Sequence, residues 1–270
     1  GNERNPILTS RHLSYDNWVN STGHADLVEL ADGRWYMVAL GIRNDEQRRT
    51  NMGRETHLVP VEWEREPYVW KDKQYLWPVA APDTGRVERH MRLPFSDKGQ
   101  KSTSIFFDPF DPETLGLAWT FRRVPSEGAY SLRARPGFLR LFAQDSSPRP
   151  RERVAQVGVK QTETDFLFSS RVEFLTDTVG VEAGVTLFQK DDHYLNATVK
   201  LTSDGYKLAV TLANRGAPEL IASKALENYS GSIEWRWTSH QGRYEIYYRM
   251  SENNEWSLLQ NLPSQLLLSH

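Results

Sequence analysis

Apolar residues along this chain alternate with polar ones far more often than they recur every third or fourth position, so strands rather than helices are predicted throughout. Leu27-Val28-Glu29-Leu30 leads through Ala31-Asp32-Gly33, a tight-turn sequence, into Trp35-Tyr36-Met37-Val38-Ala39-Leu40, and the whole reads as a β-hairpin. His57 to Trp63 is another short strand, closed by the charged stretch Glu64-Arg65-Glu66-Pro67. Further strands are expected over Tyr130 to Arg133, Phe138 to Phe142, Phe166 to Phe174, Ala183 to Gln189, Tyr194 to Leu201 and Lys207 to Leu212. Two later hairpins follow from strict alternation. Ile233, Trp235 and Trp237 share one face before His240-Gln241-Gly242; Tyr244, Ile246, Tyr248 and Met250 share one face after it, and Asn253-Asn254 turns the chain toward Trp256. Many short strands spaced by turns predict an all-β protein whose later part is a two-sheet sandwich.

Between Leu93 and Thr103 the apolar pattern stops, and Pro94, Asp97, Lys98, Gly99, Gln100 and Lys101 mark a linker. A chain of 270 residues accommodates two ordinary domains. The balance of 33 basic against 35 acidic side chains, a net charge of −2, gives no field that favours nucleic acid or an anionic membrane, and points to a neutral ligand. No run approaches the roughly 18 apolar residues of a membrane span. Cysteine is absent, which removes disulfides, thiolate catalysis and Cys-bound zinc.

Certain segments carry a resemblance. Gly23-His24-Ala25-Asp26-Leu27-Val28-Glu29, Gly33-Arg34-Trp35-Tyr36 and Asn51-Met52-Gly53-Arg54-Glu55-Thr56-His57-Leu58-Val59-Pro60-Val61-Glu62-Trp63 resemble the late blades of the five-bladed β-propeller of family-43 glycoside hydrolases. Trp77-Pro78-Val79 and Gly85-Arg86-Val87 are similar to the place where that propeller ends. Asp108-Pro109-Phe110-Asp111 and Leu115-Gly116-Leu117-Ala118-Trp119 open a second unit. From Leu115 on, this unit resembles the concanavalin-A-like sandwich appended to many family-43 xylosidases, through Leu115 to Trp119, Leu132 to Leu141, Gln156 to Thr162 and Glu182-Ala183-Gly184-Val185. The resemblance implies closing propeller blades in residues 1–95, a linker in 96–102 and a jelly-roll, concanavalin-A-like sandwich in 103–270. It also implies the C-terminal portion of an inverting hydrolase that removes xylose or arabinofuranose units from xylan, arabinoxylan or arabinan. The alternative is a non-catalytic carbohydrate-binding or interaction module.

In the family resembled, the general base, the auxiliary Asp and the acid Glu come from the first blades, so no catalytic acid or base is expected in this chain. The resemblance assigns Arg54 to the floor of the sugar pocket, in contact with sugar hydroxyls and a catalytic carboxylate. A guanidinium suits that task, since its fixed fork of donors bridges a carboxylate and a diol while staying charged. The competing reading is a structural Arg54 paired with Glu55 or Glu62. His24 is the second substrate-binding candidate, near the propeller axis, with at most a water-mediated part in metal binding. No cofactor is required, and the family leaves room for a structural calcium near the axis. Asp26 reads as a buried structural acceptor and Glu29 as solvated, since at this spacing in a strand they face opposite sides. Tyr247 and Trp256 are candidate exposed stacking platforms among the 9 Trp and 11 Tyr, most of which belong to cores. His12, His57, His90, His193, His240 and His270 lack metal-ligand spacing.

Implied partners are an N-terminal propeller half of the same enzyme, on a separate chain or segment, and a plant-cell-wall oligosaccharide or polysaccharide; nucleic acid and membrane are not expected. Without that half the residues of 1–95 are not expected to fold as a closed propeller. At the other end, Leu262 to His270 reads as the approach to a further strand, with Leu266 to Leu268 an apolar edge awaiting a neighbour. Secretion is expected, with Asn196 as the glycosylated member of the sequons at Asn20, Asn196 and Asn228, and Asn20 bare because of its nearness to His24.

Overall fold

In a computed structural model, residues 5–14, 17–45, 49–92, 95, 105–143 and 155–267 are described. The expected linker 96–102 lies outside them. The strands, in chain order, are β1 Val19–Glu29, β2 Trp35–Arg43, β3 Arg54–Trp63, β4 Tyr68–Trp70, β5 Lys73–Tyr75, β6 Pro78–Ala80, β7 Trp119–Phe121, β8 Tyr130–Ser131, β9 Arg140–Leu141, β10 Val157–Val159, β11 Phe166–Glu173, β12 Glu182–Lys190, β13 His193–Thr202, β14 Gly205–Asn214, β15 Glu219–Ala225, β16 Ser232–His240, β17 Arg243–Arg249 and β18 Ser257–Pro263. A 3₁₀ turn over Ser264–Leu267 follows. The chain divides into two compact units, each drawn from separated stretches.

The first unit takes Gly1–Arg92, Thr164–Leu175 and Tyr229–His270. Its N-terminal part is a four-stranded antiparallel sheet in the order β1-β2-β3-β6, the form of one propeller blade. Pairing of Met37 with Val59 and of Trp35 with Val61 puts these residues on one face. That face builds a core of Val19, Met37, Ala39, Val59, Val61, Ala80, Ala81 and Val87, edged by Ile7, Leu8, Trp18 and Trp35. Trp35 meets Trp63 edge-on at 5.3 Å. The other face carries Val38, Leu40, Ile42 and Leu58, only half-buried, together with exposed Val28, Arg54 and Thr56. A separate hairpin, β4–β5, turns at Lys71 and Asp72, both in the left-handed region at φ 49° and 59°.

The C-terminal part of this unit is a sheet in the order β11-β16-β17-β18. Alternation reads correctly here: Ile233, Trp235, Trp237, Tyr244, Ile246 and Tyr248 are all buried, in the register Trp235 with Tyr248 and Trp237 with Ile246. The opposite face is polar. Arg249 donates from Nε and Nη2 to Glu234 Oε2 at 2.8 and 2.6 Å, and the Tyr247 hydroxyl donates to Glu245 at 2.9 Å. The Trp256 ring is contacted by two guanidinium groups, Arg236 at 4.1 Å and Arg249 at 4.6 Å. The Trp256 ring is therefore not a free stacking platform, while Tyr247 is half-buried rather than exposed. Nor does the chain approach a further strand after Leu262 within the described residues. Pro263 lacks an N–H for the ladder, Ser264 donates its N–H to Gly242 O at 2.9 Å, and the 3₁₀ turn buries Leu267.

The second unit takes Leu93–Glu163 and Thr176–Asn228. Its main sheet is the antiparallel meander β12-β13-β14-β15, with Leu195, Ala197, Val199, Leu208 and Val210 fully buried. β12 and β13 approach closely at Gly184, where an added Cβ would lie 2.0 Å from Ala197 O and 2.7 Å from Thr198 Cα. The motif around Asp108 has a local cause. Its carboxylate accepts the N–H of Phe110 at 2.8 Å and the indole N–H of Trp119 at 2.7 Å, and Phe106 and Phe110 lie against the Trp119 ring. Trp119 opens β7, which pairs with β10.

Candidate functional site

Arg54 is the first residue of β3, set opposite Ile42 of β2, whose other neighbour is Asn20 of β1. Its side chain is exposed on the half-buried face of the blade, and among the described residues it makes no ion pair. The competing structural reading fails on both partners. Glu55, one residue along, faces the other side, where Arg43 holds it through Nε at 3.0 Å and Nη2 at 2.5 Å. Glu62 is eight residues up the same strand, roughly 27 Å at strand rise. The Arg43–Glu55 pair therefore leaves Arg54 as a donor fork without an ion-pair acceptor among the described residues.

His24 lies on β1, at the edge of the sheet, within the second of two irregularities in its pairing with β2: one between Asn20 and Gly23, one between Gly23 and Asp26. Three residues of β1 oppose two of β2 in each, so both are β-bulges, and His24 (φ 47°) and Ser21 (φ 52°) take left-handed backbone. Bulges re-aim side chains, so simple alternation does not govern His24. It is exposed. Arg54 and His24 share one sheet but stand two strands apart, roughly 10 Å across it, and no contact joins them. Asp26 and Glu29 face opposite sides, as their partners Val38 and Trp35 require. Asp26 is exposed rather than buried, because β1 is an edge strand and no neighbour covers it among the described residues.

The segment before β1, together with the start of that strand, adds residues of which only Asn20 was singled out from the sequence. Ser10, Arg11, Leu13, Ser14, Asn17, Val19 and Asn20 line a polar cleft of about 240 Å³. Its Asn20 end stands in the same cross-strand row as Arg54. Apart from the sequon at Asn20, no motif marks these residues, and only the fold gathers them.

On the core face, His57 occupies the space that Gly41 leaves open: a Cβ there would lie 2.7 Å from its Cδ2 and 2.9 Å from Val19 Cγ2. Trp18 meets the imidazole edge-on at 5.6 Å. Burial pushes the imidazole below the ordinary 6.5; the Glu55 carboxylate opposes this, Arg43 reinforces it, and a hydrogen bond to the Gly41 backbone opposes it. A histidine with a depressed folded value binds fewer protons folded than unfolded. Its contribution is thus complete above about pH 6.5 and is lost as pH falls from there toward the folded value. The melting temperature is expected to decline from pH 7 to 5, and His57→Gln to flatten that decline. Equal slopes in the two proteins would show that His57 does not titrate in this way.

Among the described residues no group of three or more His, Asp or Glu side chains is placed to hold a metal ion. A calcium ion takes 6–8 oxygen ligands, whereas His24 offers a nitrogen and Asp26 is the one carboxylate near it in β1. These residues alone do not fit a calcium site.

The fold class that these elements define is all-β, with a blade-type sheet followed by a second antiparallel unit, and comparison with known proteins gives its family. Residues 1–68 match the model of glycosyl hydrolases family 43, and residues 107–270 match that of the β-xylosidase C-terminal concanavalin A-like domain. The chain belongs to glycoside hydrolase family 43, in its portion that joins propeller to concanavalin A-like domain. It is 34% identical over 197 residues to a non-reducing end α-L-arabinofuranosidase of Bacteroides ovatus, covering 70% of this chain and 34% of that protein. It is 31% identical over 257 residues to a xylosidase/arabinosidase of Butyrivibrio fibrisolvens, covering 94% of this chain and 47% of that one. Among solved structures, a family-43 protein of Bacillus licheniformis superposes with a TM-score of 0.80 at 28% identity, over 98% of this chain and 49% of its own. The chain thus spans less than half the length of each of these three relatives. In those relatives the matched region forms one chain with an N-terminal part.

Proposed function

We propose that this chain is the C-terminal portion of an inverting glycoside hydrolase that removes xylose or arabinofuranose units from plant-cell-wall polysaccharide, with Arg54 on the floor of the sugar pocket. The observation that carries this reading is the exposed Arg54 guanidinium, kept free of Glu55 by Arg43. Such a fork suits a vicinal diol and a carboxylate together. His24, on the edge strand β1, contacts the sugar or its water from the axial side. The acid and base are placed on N-terminal blades, which pack on the half-buried face that carries Arg54. Inversion requires their carboxyl groups roughly 6.5–9.5 Å apart, with a water between base and anomeric carbon. The test is hydrolysis of para-nitrophenyl β-xyloside and α-arabinofuranoside by the intact hydrolase, with proton NMR of the first product. Release of α-xylose from the β-xyloside, or β-arabinofuranose from the α-arabinofuranoside, is expected; retained configuration, or no hydrolysis of either, would refute the reading. A non-catalytic sugar-binding module is disfavoured, since the Trp256 ring is already contacted by Arg236 and Arg249 and Tyr247 is half-buried.

Secretion fits a polymeric substrate. Asn196 shares its face of β13 with Thr198, as alternation requires, but it is half-buried mid-strand, and Thr198 is buried with its hydroxyl donating to Glu182 at 2.9 Å. Asn228 is exposed in a turn at φ 56°. In a eukaryotic host glycopeptide mapping is expected to find Asn228 occupied in preference to Asn196; the reverse would count against this assignment.

A further inference from the structure

We propose that Gln265 and Tyr244, from the far end of the chain, are positioning residues for Arg54: they fix the segment 49–53 from which β3 and its first side chain emerge. The proposal rests on the reading of Arg54 as a sugar-contacting residue.

Arg54 has no ion-pair partner of its own among the described residues, so its direction depends on the backbone it leaves. That backbone is pinned from two sides. Arg49 is closed onto Asp45, donating from Nε at 3.0 Å, from Nη2 at 2.8 Å and from its backbone N–H at 2.8 Å, while Asp45 N–H returns a bond to Arg49 O at 3.0 Å. The remaining arm of the same guanidinium, Nη1, donates to Gln265 Oε1 at 2.9 Å. Two residues on, the side chain of Asn51 hydrogen-bonds the hydroxyl of Tyr244, a residue only 1% exposed. Between them Thr50 is buried and its hydroxyl accepts the Met52 N–H at 3.2 Å. Gly53 then turns the chain into β3 at φ +71°. Gln265 is itself held, because its 3₁₀ turn starts from the Ser264 N–H bond to Gly242 O and ends on buried Leu267.

An exposed amide–guanidinium bond contributes little to stability, and a surface substitution of this kind stays within about 0.5 kcal/mol. Misplacing a substrate-binding group by an ångström is a different matter, with losses up to about a hundredfold. The two roles are therefore separable by measurement.

The experiment is a mutant cycle in the intact hydrolase, read as kcat and KM on the para-nitrophenyl glycoside that it cleaves, with melting temperature alongside. Gln265→Ala and Tyr244→Phe are each expected to lower kcat/KM about tenfold, with the melting temperature of Gln265→Ala unchanged. Gln265→Glu, which keeps an acceptor for Arg49, restores activity. Asn51→Ala removes the Tyr244 bond without touching the buried ring, and reproduces Tyr244→Phe. In an Arg54→Ala background none of these substitutions lowers kcat/KM further. Parental kcat/KM in Gln265→Ala and Asn51→Ala, or losses that multiply with that of Arg54→Ala, would overturn the proposal. If Arg54→Ala alone keeps parental kcat/KM, the reading of Arg54 fails and the positioning role falls with it.

Discussion

Replacing Arg54 by Ala in the intact hydrolase is expected to lower kcat/KM by about a hundredfold or more, a loss of about 3 kcal/mol of transition-state stabilisation. The magnitude follows from charge. With sugar bound and water displaced, a guanidinium bridging hydroxyls and a carboxylate makes charge-assisted bonds roughly twice as strong as neutral ones. Arg54→Lys is not expected to rescue activity, since a single ammonium cannot span both partners in a fixed plane. Stability behaves oppositely. Because Glu55 belongs to Arg43 and Arg54 makes no ion pair among the described residues, both variants should melt with the parent protein. Steady-state kinetics and a thermal melt on the same preparations decide the matter, and unchanged kcat/KM in both variants would return Arg54 to the ordinary surface.

Gly184→Ala is the substitution expected to cost the most stability, about 3 kcal/mol or more. Gly184 pairs with Thr198 across β12 and β13, and a methyl group there would sit 2.0 Å from a backbone carbonyl oxygen. No rotamer change relieves a clash between a Cβ and a backbone. The strands must part, which breaks the ladder beside β13, the strand that carries fully buried Leu195, Ala197 and Val199. For a protein of this size the melting temperature should fall by roughly 6–12 °C. Gly158, also within a strand, has nothing within 4 Å of an added Cβ, so Gly158→Ala serves as a control with little change. If the two variants melt together, the close approach at Gly184 is not a feature of the folded protein.

Where alternation is uninterrupted, the sequence was a sufficient guide. Ile233, Trp235 and Trp237, and across the turn Tyr244, Ile246 and Tyr248, are buried as their parity requires. It misled at β1, where two bulges each insert a residue, so that the direction of His24 could not be counted off, and where the edge position of the strand leaves Asp26 exposed. The β4–β5 hairpin went unread because Lys71 and Asp72 take the left-handed conformations usually signalled by Asn-Gly. Edge strand β15, mostly exposed or half-buried, lacks the buried stripe that identifies a central strand. Trp256 looked like a platform because composition cannot show that Arg236 and Arg249 contact its ring. Arg54 was singled out by resemblance, and its freedom from Glu55 became visible only once the pairing of β2 with β3 placed Arg43 on the opposite face. The Gln265 contact, between residues far apart in the chain, had no sequence signal at all.

The first unit is assembled from three separated stretches of sequence, with Thr164–Leu175 and Tyr229–His270 joining Gly1–Arg92, and this constrains the order in which it can form. During vectorial synthesis the blade strands β1 to β3 emerge well before β18 and the turn that carries Gln265. The meander β12–β15 pairs only sequence neighbours, so its local contacts can form while the ribosome is still elongating. The first unit must wait for residue 265 to clear the ribosome before Arg49 finds Gln265, 216 positions further on. The nascent blade therefore keeps its loop unbraced while that intervening stretch is made, and the segment leading to Arg54 takes its final shape only afterwards.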